Sequence, residues 1–159
     1  MIITSKTGEQ FNFLETGVEG IYVLDHAAFR GQFDEESNND WEKSSGKKKL
    51  QKWAENNLPK EILEQFEVDI PTAEEVFSQK MLNLYESGRK LKSKQFPIFK
   101  DSNERIKELD GKPIWWWTRS TCTKTYCDVW LVLTDGGMHE SSLTEYPRGF
   151  VPVLRRKTK

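Results

Sequence analysis

Three consecutive tryptophans, Trp115-Trp116-Trp117, constrain this chain more than any other feature. On a β-strand successive side chains point to opposite faces, so such a run must bury at least one face of its strand beneath other elements. A core that covers indoles is rich in aromatic residues, and six Trp, nine Phe and four Tyr in 159 residues supply it. That length suits one domain over residues 1–159, with a core that stands without disulfides or metals.

The rest of the pattern places strands at both ends. Ile2-Ile3-Thr4, a turn at Thr7-Gly8, and Phe11 and Phe13 alternating with polar neighbours read as a hairpin. Ile21-Tyr22-Val23-Leu24 reads as a strand buried on both sides. Beyond Pro113, strands are predicted over residues 114–118, 128–134, 138–143 and 149–155, with Asp135-Gly136-Gly137 as a hairpin turn.

Helices are predicted between them. Residues 34–40 hold four carboxylates without periodicity and form a loop. Residues 41–57 put Leu50, Trp53 and Ala54 on one helical face, and residues 60–66 form a second short helix. Thr72 and Glu75 fit a capping box that opens a helix with the stripe Val76, Phe77, Met81, Leu84 and Tyr85, stopped by Gly88. Residues 89–100 are a basic connection, and residues 101–109 a brief capped helix closed by Asp110-Gly111. The whole implies an α+β fold in which N- and C-terminal strands share an antiparallel sheet with helices inserted between them.

Charge and composition restrict the function. A net charge of -1 gives no global attraction for nucleic acid or an anionic membrane. Basic clusters at Lys47, Lys48, Lys49 and Lys52, in residues 89–100, and at Arg155, Arg156, Lys157 and Lys159 leave only weak nucleic-acid binding, with Phe96 and Phe99 available for stacking. No apolar run reaches the roughly 18 to 20 residues a bilayer needs, and the first residues lack the apolar stretch of a signal peptide, so the expected location is a cytoplasm. Asp25-His26 and His139-Glu140 are the only His–carboxylate neighbours. Without a nucleophile elbow, P-loop or dinucleotide turn, the expectation is no enzyme, no metal and no cofactor.

The run Trp115-Trp116-Trp117-Thr118-Arg119-Ser120, a glycine-turn hairpin, and then Gly149-Phe150-Val151-Pro152-Val153-Leu154 resemble a family of unknown function from bacteria and their phages. Its members carry W-W-L-R-S-P and end in G-V-R-P-A-L. The first half agrees, since Ile21-Tyr22-Val23-Leu24 resembles the opening strand of the family. Asn39-Asp40-Trp41-Glu42-Lys43-Ser44, leading to Leu50-Gln51-Lys52-Trp53, resembles its N-x-W-x-x-S to L-x-x-W-L helix. Two positions depart: Thr118 stands where Leu is usual, and Val151 where the family has Arg.

That family is similar in pattern to C-type-lectin-like folds, among them formylglycine-generating enzymes and variable receptor-binding proteins of phages. The resemblance implies paired terminal strands and loops that display binding residues. Cys122 and Cys127, in C-x-x-x-Y-C, look like the active-site thiols of formylglycine-generating enzymes, which implies as an alternative a copper-thiolate oxidase acting on a substrate cysteine. Five residues apart in extended chain, the two thiols point to opposite faces unless a turn intervenes, so reduced structural cysteines are the preferred reading.

The expected function is a non-catalytic binding module of phage or mobile-element type. It docks on a host protein, for instance as an inhibitor of host defence, or displays recognition loops on a virion. The candidate contacts are Asp34 and Glu35 in the acidic loop, Lys92, Lys94 and Phe96 in the basic connection, and Thr123, Lys124 and Tyr126 in the turn over residues 121–128. Arg119, beside the tryptophans, is either a staple that stacks on an indole and donates to backbone carbonyls or a ligand contact.

Overall fold

The computed structural model describes residues 1–84, 91–121, 129–139 and 144–158. In chain order the elements begin with β1 (Ile2–Thr4), β2 (Gln10–Glu15), β3 (Ile21–Leu24), β4 (Phe29–Gly31), α1 (Ser45–Asn57) and α2 (Lys60–Gln65). Then come β5 (Phe66–Asp69), α3 (Ala73–Val76), α4 (Gln79–Asn83), β6 (Lys107–Leu109), β7 (Lys112–Ile114) and β8 (Trp116–Thr121). The last are β9 (Val129–Val132), β10 (Met138–His139), β11 (Arg148–Phe150) and β12 (Val153–Arg156). No helix among the described residues is long and apolar enough to cross a membrane.

The strands form two five-stranded sheets and a small ribbon, β6-β7. The first sheet runs β1-β2-β3-β12-β5 and is antiparallel throughout, so the N- and C-terminal strands pair as expected of an α+β fold. The second runs β10-β9-β8-β11-β4, and its β8–β11 pair is parallel.

Side-chain alternation divides the core into three layers. Val23 and Val153 of the first sheet meet Trp116, Trp130 and Val132 of the second in a central cluster. Their chain neighbours Leu24 and Leu154 turn outward, onto Ala54 and Leu58 at the end of α1. Trp117, Val129 and Leu131 turn outward from the second sheet onto Phe33, Trp41 and Leu50. Both faces of β8 and β9 are therefore covered, which is why Val129-Trp130-Leu131-Val132 is an unbroken apolar run.

Several predicted elements are divided or replaced. Residues 41–57 are a 3-10 turn, Trp41–Lys43, followed by α1, because Ser44 adopts extended geometry and its hydroxyl accepts from the Lys47 N–H at 3.1 Å. The Thr72–Glu75 capping box is present, but Ser78 caps a second short helix; Val76, Phe77 and Met81 pack on the central cluster, Leu84 is exposed, and Tyr85 and Gly88 lie outside the described residues. Residues 101–109 are a 3-10 turn, Ser102–Arg105, and strand β6. Asp110 and Gly111, both at positive φ, close the β6–β7 hairpin rather than a helix. The predicted last strand is two strands in two sheets, since Pro152 has no N–H to give to a continuing ladder. Strands β4 and β5 were not anticipated.

Two buried positions generate tests. Gly46 donates its N–H to the Phe33 carbonyl at 2.8 Å, and a Cβ there would lie 2.4 Å from that oxygen and 3.1 Å from Phe150 Cζ. Alanine normally favours a helix over glycine by about 1 kcal/mol, but Gly46→Ala is expected to destabilise by roughly 2 kcal/mol in urea unfolding, because backbone must shift to admit the methyl. Lys107 is fully buried beneath β6, its Nζ 5.7 Å from the Phe99 ring centre, and burial lowers its pKa to about 8 despite the nearby Glu104 and Asp25 carboxylates. The unfolded chain then binds more protons between about pH 8 and pH 10.5, so Lys107 makes stability rise with pH in that window and penalises folding below it. Lys107→Met is expected to raise the melting temperature at neutral pH and to remove that part of the rise.

Candidate functional site

Each residue of the tryptophan motif is anchored. Trp116 Nε1 donates to the Arg105 carbonyl and Trp117 Nε1 to the Gly31 carbonyl, both at 3.0 Å. The Thr118 hydroxyl donates to the Trp130 carbonyl at 2.8 Å and accepts from the Ser120 N–H at 3.2 Å, within the register shift between β8 and β9. A threonine at this wholly buried position is thus satisfied by the bulge it sits in. Ser120 Oγ accepts from the Ala73 N–H at 2.8 Å, tying β8 to the start of α3.

Arg119 belongs to an ion-pair network. Its Nη1 lies 2.8 Å from Asp69 Oδ2 and its Nη2 3.0 Å from Glu42 Oε1, while its N–H donates to the Pro71 carbonyl. Asp69 Oδ2 also receives Arg155 Nε at 2.8 Å, and the Arg155 fork takes both oxygens of Glu75 at 2.7 Å. Asp69 therefore clamps β8 of one sheet to β12 of the other. Burial pulls the Arg155 pKa down, but the Glu75 and Asp69 carboxylates outweigh it and the net shift is upward. The Lys47 hydrogen bond, with the charges of Lys47 and Arg119, holds the Glu42 carboxyl below its ordinary range. The geometry of Arg119 is that of a staple held by carboxylates.

A different arginine carries the aromatic contact. Arg148 opens β11, and its guanidinium lies 4.6 Å from the Trp115 ring centre and 5.8 Å from that of Tyr146. The parallel register makes this contact: Gly149 is opposite Trp116 and its N–H donates to the Trp115 carbonyl at 2.8 Å, so Trp115 and Arg148, each preceding one of these partners, lie at the same end. Glycine is needed there, because a Cβ would come within 3.2 Å of Ala27 and Ile114 and 3.3 Å of Trp116. Arg148, Trp115, Tyr146 and Arg30 line an open groove of about 530 Å³ with Pro113 and Thr134. The Tyr146 ring is 53% exposed, and the His139 ring lies 6.0 Å from Trp115. Burial first, and the adjacent Arg30 charge second, lower the pKa of Arg148.

The residues predicted as contacts are not gathered in one place. Asp34 is buried, and its carboxylate accepts N–H bonds from Ser45, Asn38 and Glu36 at 2.8, 2.8 and 3.0 Å. Burial raises its pKa, but these donors win and hold it below the usual range. Glu35 is exposed and pairs with Lys49 at 3.1 Å. Lys92 and Lys94 are exposed and line a second groove of about 520 Å³ with Glu74, Phe77 and Leu91. Phe96 is buried against Phe99, with ring centres 6.1 Å apart, so its ring packs in the core instead of facing a ligand. Cys122, Thr123, Lys124, Tyr126 and Cys127 lie outside the described residues. Asp25 and His26 pair at 2.6 Å on an exposed surface. No group of three or more His, Cys, Asp or Glu that could hold a metal occurs among the described residues.

Arg148, Arg30 and Tyr146 were not anticipated as a site. The available signal was slight: Trp115 opens one motif and Arg148 precedes the other, and only parallel pairing brings them together.

A family model described as a domain of unknown function (DUF6273) matches residues 21–155, from the start of β3 to Arg155 in β12. No curated protein and no solved structure gives a significant match.

The clamp is open to test. Asp69→Ala leaves the Arg119 and Arg155 donors without their shared carboxylate in a buried setting, and a loss of about 3 kcal/mol is expected in urea unfolding. Glu42→Gln removes only the exposed arm, whose carboxylate is 58% exposed, and is expected to cost less than about 1 kcal/mol. Equal losses would mean that Asp69 is not the joint between the sheets.

Proposed function

The chain belongs to this family of domains of unknown function, and from that premise we propose that it is a non-catalytic binding module of phage or mobile-element type that docks on a host protein through the Arg148 groove. The carrying observation is the guanidinium of Arg148 set between the rings of Trp115 and Tyr146 on an open surface. Trp, Tyr and Arg are the residues that dominate the energy of protein interfaces, because they bring large contact area and directed hydrogen bonds at small entropic cost. Arg148 stands on β11 and Trp115 directly precedes β8, two paired strands packed on the core, which keeps the recognising surface stiff.

The same reading assigns the fold to the C-type-lectin-like class. Its support is the pairing of β12 between β3 and β5 and the tryptophan-led strand β8 in a second sheet. The groove of Lys92 and Lys94 supplies a second, cationic contact in this scheme, and exposed Glu35 an acidic one.

The test is capture from a lysate of the host bacterium with the full chain as bait, followed by affinity measurement with the partner recovered. Tyr146→Ala, at an exposed position outside the core, is expected to weaken binding about 30-fold, the effect of losing roughly 2 kcal/mol at an interface hot spot, with the melting temperature unchanged. Lys92→Ala with Lys94→Ala is expected to reduce the association rate and its salt dependence while leaving most of the affinity. Undiminished binding by Tyr146→Ala would remove the groove from the interface.

A further inference from the structure

The other buried and half-buried arginines described above are tied by their edges. Arg105 donates from Nε to the Gly136 carbonyl at 2.8 Å and from Nη1 to the Phe99 carbonyl at 2.5 Å. Arg119 and Arg155 reach carboxylates. Arg148 breaks this rule, since its Nε is buried without a hydrogen-bond partner and no ion pair holds it among the described residues. Its charged neighbour is another cation, Arg30, which lines the same groove and likewise has no carboxylate partner among the described residues. Pro113, Thr134, Tyr146 and Pro147 complete the lining with Ile114 and Trp115, and none is acidic.

Arg148 and exposed Arg30, with no counter-charge among the described residues, repel each other, and the partial burial of Arg148 weakens the screening that water would provide. A buried donor left without an acceptor also costs free energy, commonly about 1 to 3 kcal/mol. Among the described residues the groove is lined only by cations, aromatic rings, prolines and uncharged groups.

We infer that the ligand supplies the missing charge: the groove is an oxyanion site that takes a phosphate or carboxylate group onto Arg148 and Arg30, with Trp115 fixing the Arg148 plane. The inference rests on the groove being the recognition surface proposed above. At about 530 Å³ the groove is much larger than one such group, so the oxyanion is carried on a larger body that lies along the Tyr146 ring. Planar guanidiniums match the paired oxygens of either group, and stacking on Trp115 sets the orientation of Arg148 in advance.

The experiment titrates the full chain with inorganic phosphate and, separately, with acetate, at an ionic strength held constant with sodium chloride. The NMR signals of the Arg148 and Arg30 side chains and backbone are followed. A saturable shift with phosphate is expected if the natural group is a phosphate, and with acetate if it is a carboxylate; saturation by either supports the site. Arg148→Lys, which keeps the charge and loses the planar fork, is expected to weaken that binding about tenfold or more, and Arg30→Gln to weaken it also, with Lys92→Gln unchanged. Thermal unfolding checks that each variant is folded. Linear, unsaturated shifts with both anions, or wild-type affinity in Arg148→Lys, would overturn the inference. Loss of partner capture in Tyr146→Ala without any saturable anion shift sinks the oxyanion site and spares the docking reading, whereas saturable anion binding with capture unaltered does the reverse.

Discussion

The fold depends on one short stretch of chain that belongs to both sheets. Phe150 ends β11 in the second sheet, Val153 begins β12 in the first, and Val151 and Pro152 make the passage. Val151 is fully buried in the cluster between the sheets, and the carbonyls of Phe150 and Pro152 accept the N–H groups of Ala28 and Leu24 at 2.8 and 3.0 Å. Four residues span little more than the roughly 10 Å that separates packed sheets. The sheets cannot move apart without breaking this passage, and a single layer of side chains has to fill the gap. Trp116 and Trp130 fill it from the second sheet, Val23 and Val153 from the first. An Arg at position 151 would put a charge into this layer, so the valine here fits a wholly apolar passage.

Polar groups fasten what the apolar layer brings together. Asp69 receives an arginine from each sheet, and the arginines reach further to Glu42 and Glu75. Burying one carboxylate would cost several kcal/mol if it were alone; here two guanidiniums share its Oδ2 oxygen, so the arrangement fixes how the sheets meet as much as it stabilises them. Lys107 is the opposite case, a buried cation near the Phe99 ring whose desolvation outweighs the pull of the Glu104 and Asp25 carboxylates, and its lowered pKa records the difference.

What the sequence made legible follows from period and turn chemistry. Alternation in Phe11 and Phe13, the apolar run at Ile21, the capping box at Thr72 and Glu75, and the turn at Asp135-Gly136-Gly137 depend on local geometry, and each stands in the structure. The pairing of the tryptophan segment with the glycine-led strand is a long-range contact that no local period announces. Strand β5 was not legible, because Phe66-Glu67-Val68-Asp69 follows a helix without a Gly or Pro to mark the change, and its four residues offer little periodicity. The sequence at Asp110-Gly111 announces a turn without saying whether a helix or a hairpin enters it. Asp34 read as a surface carboxylate in an acidic loop; its burial comes from three backbone donors that the loop folds around it.

The candidate site was hidden for a topological reason. Trp115 and Arg148 are more than thirty positions apart in the chain, the one readable as the start of a motif and the other as the residue before one. Parallel pairing of β8 with β11 sets those two positions at the same end, whereas an antiparallel pair would have sent them to opposite ends. Because side chains alternate, a slip of one residue in this register would also turn Trp116 out of the central layer and set a bulkier contact against Gly149. The core's demand for Trp116 therefore fixes the place of Arg148. The groove inherits its geometry from the packing behind it, and Gly149, which touches no ligand in this scheme, sets how closely its two walls approach.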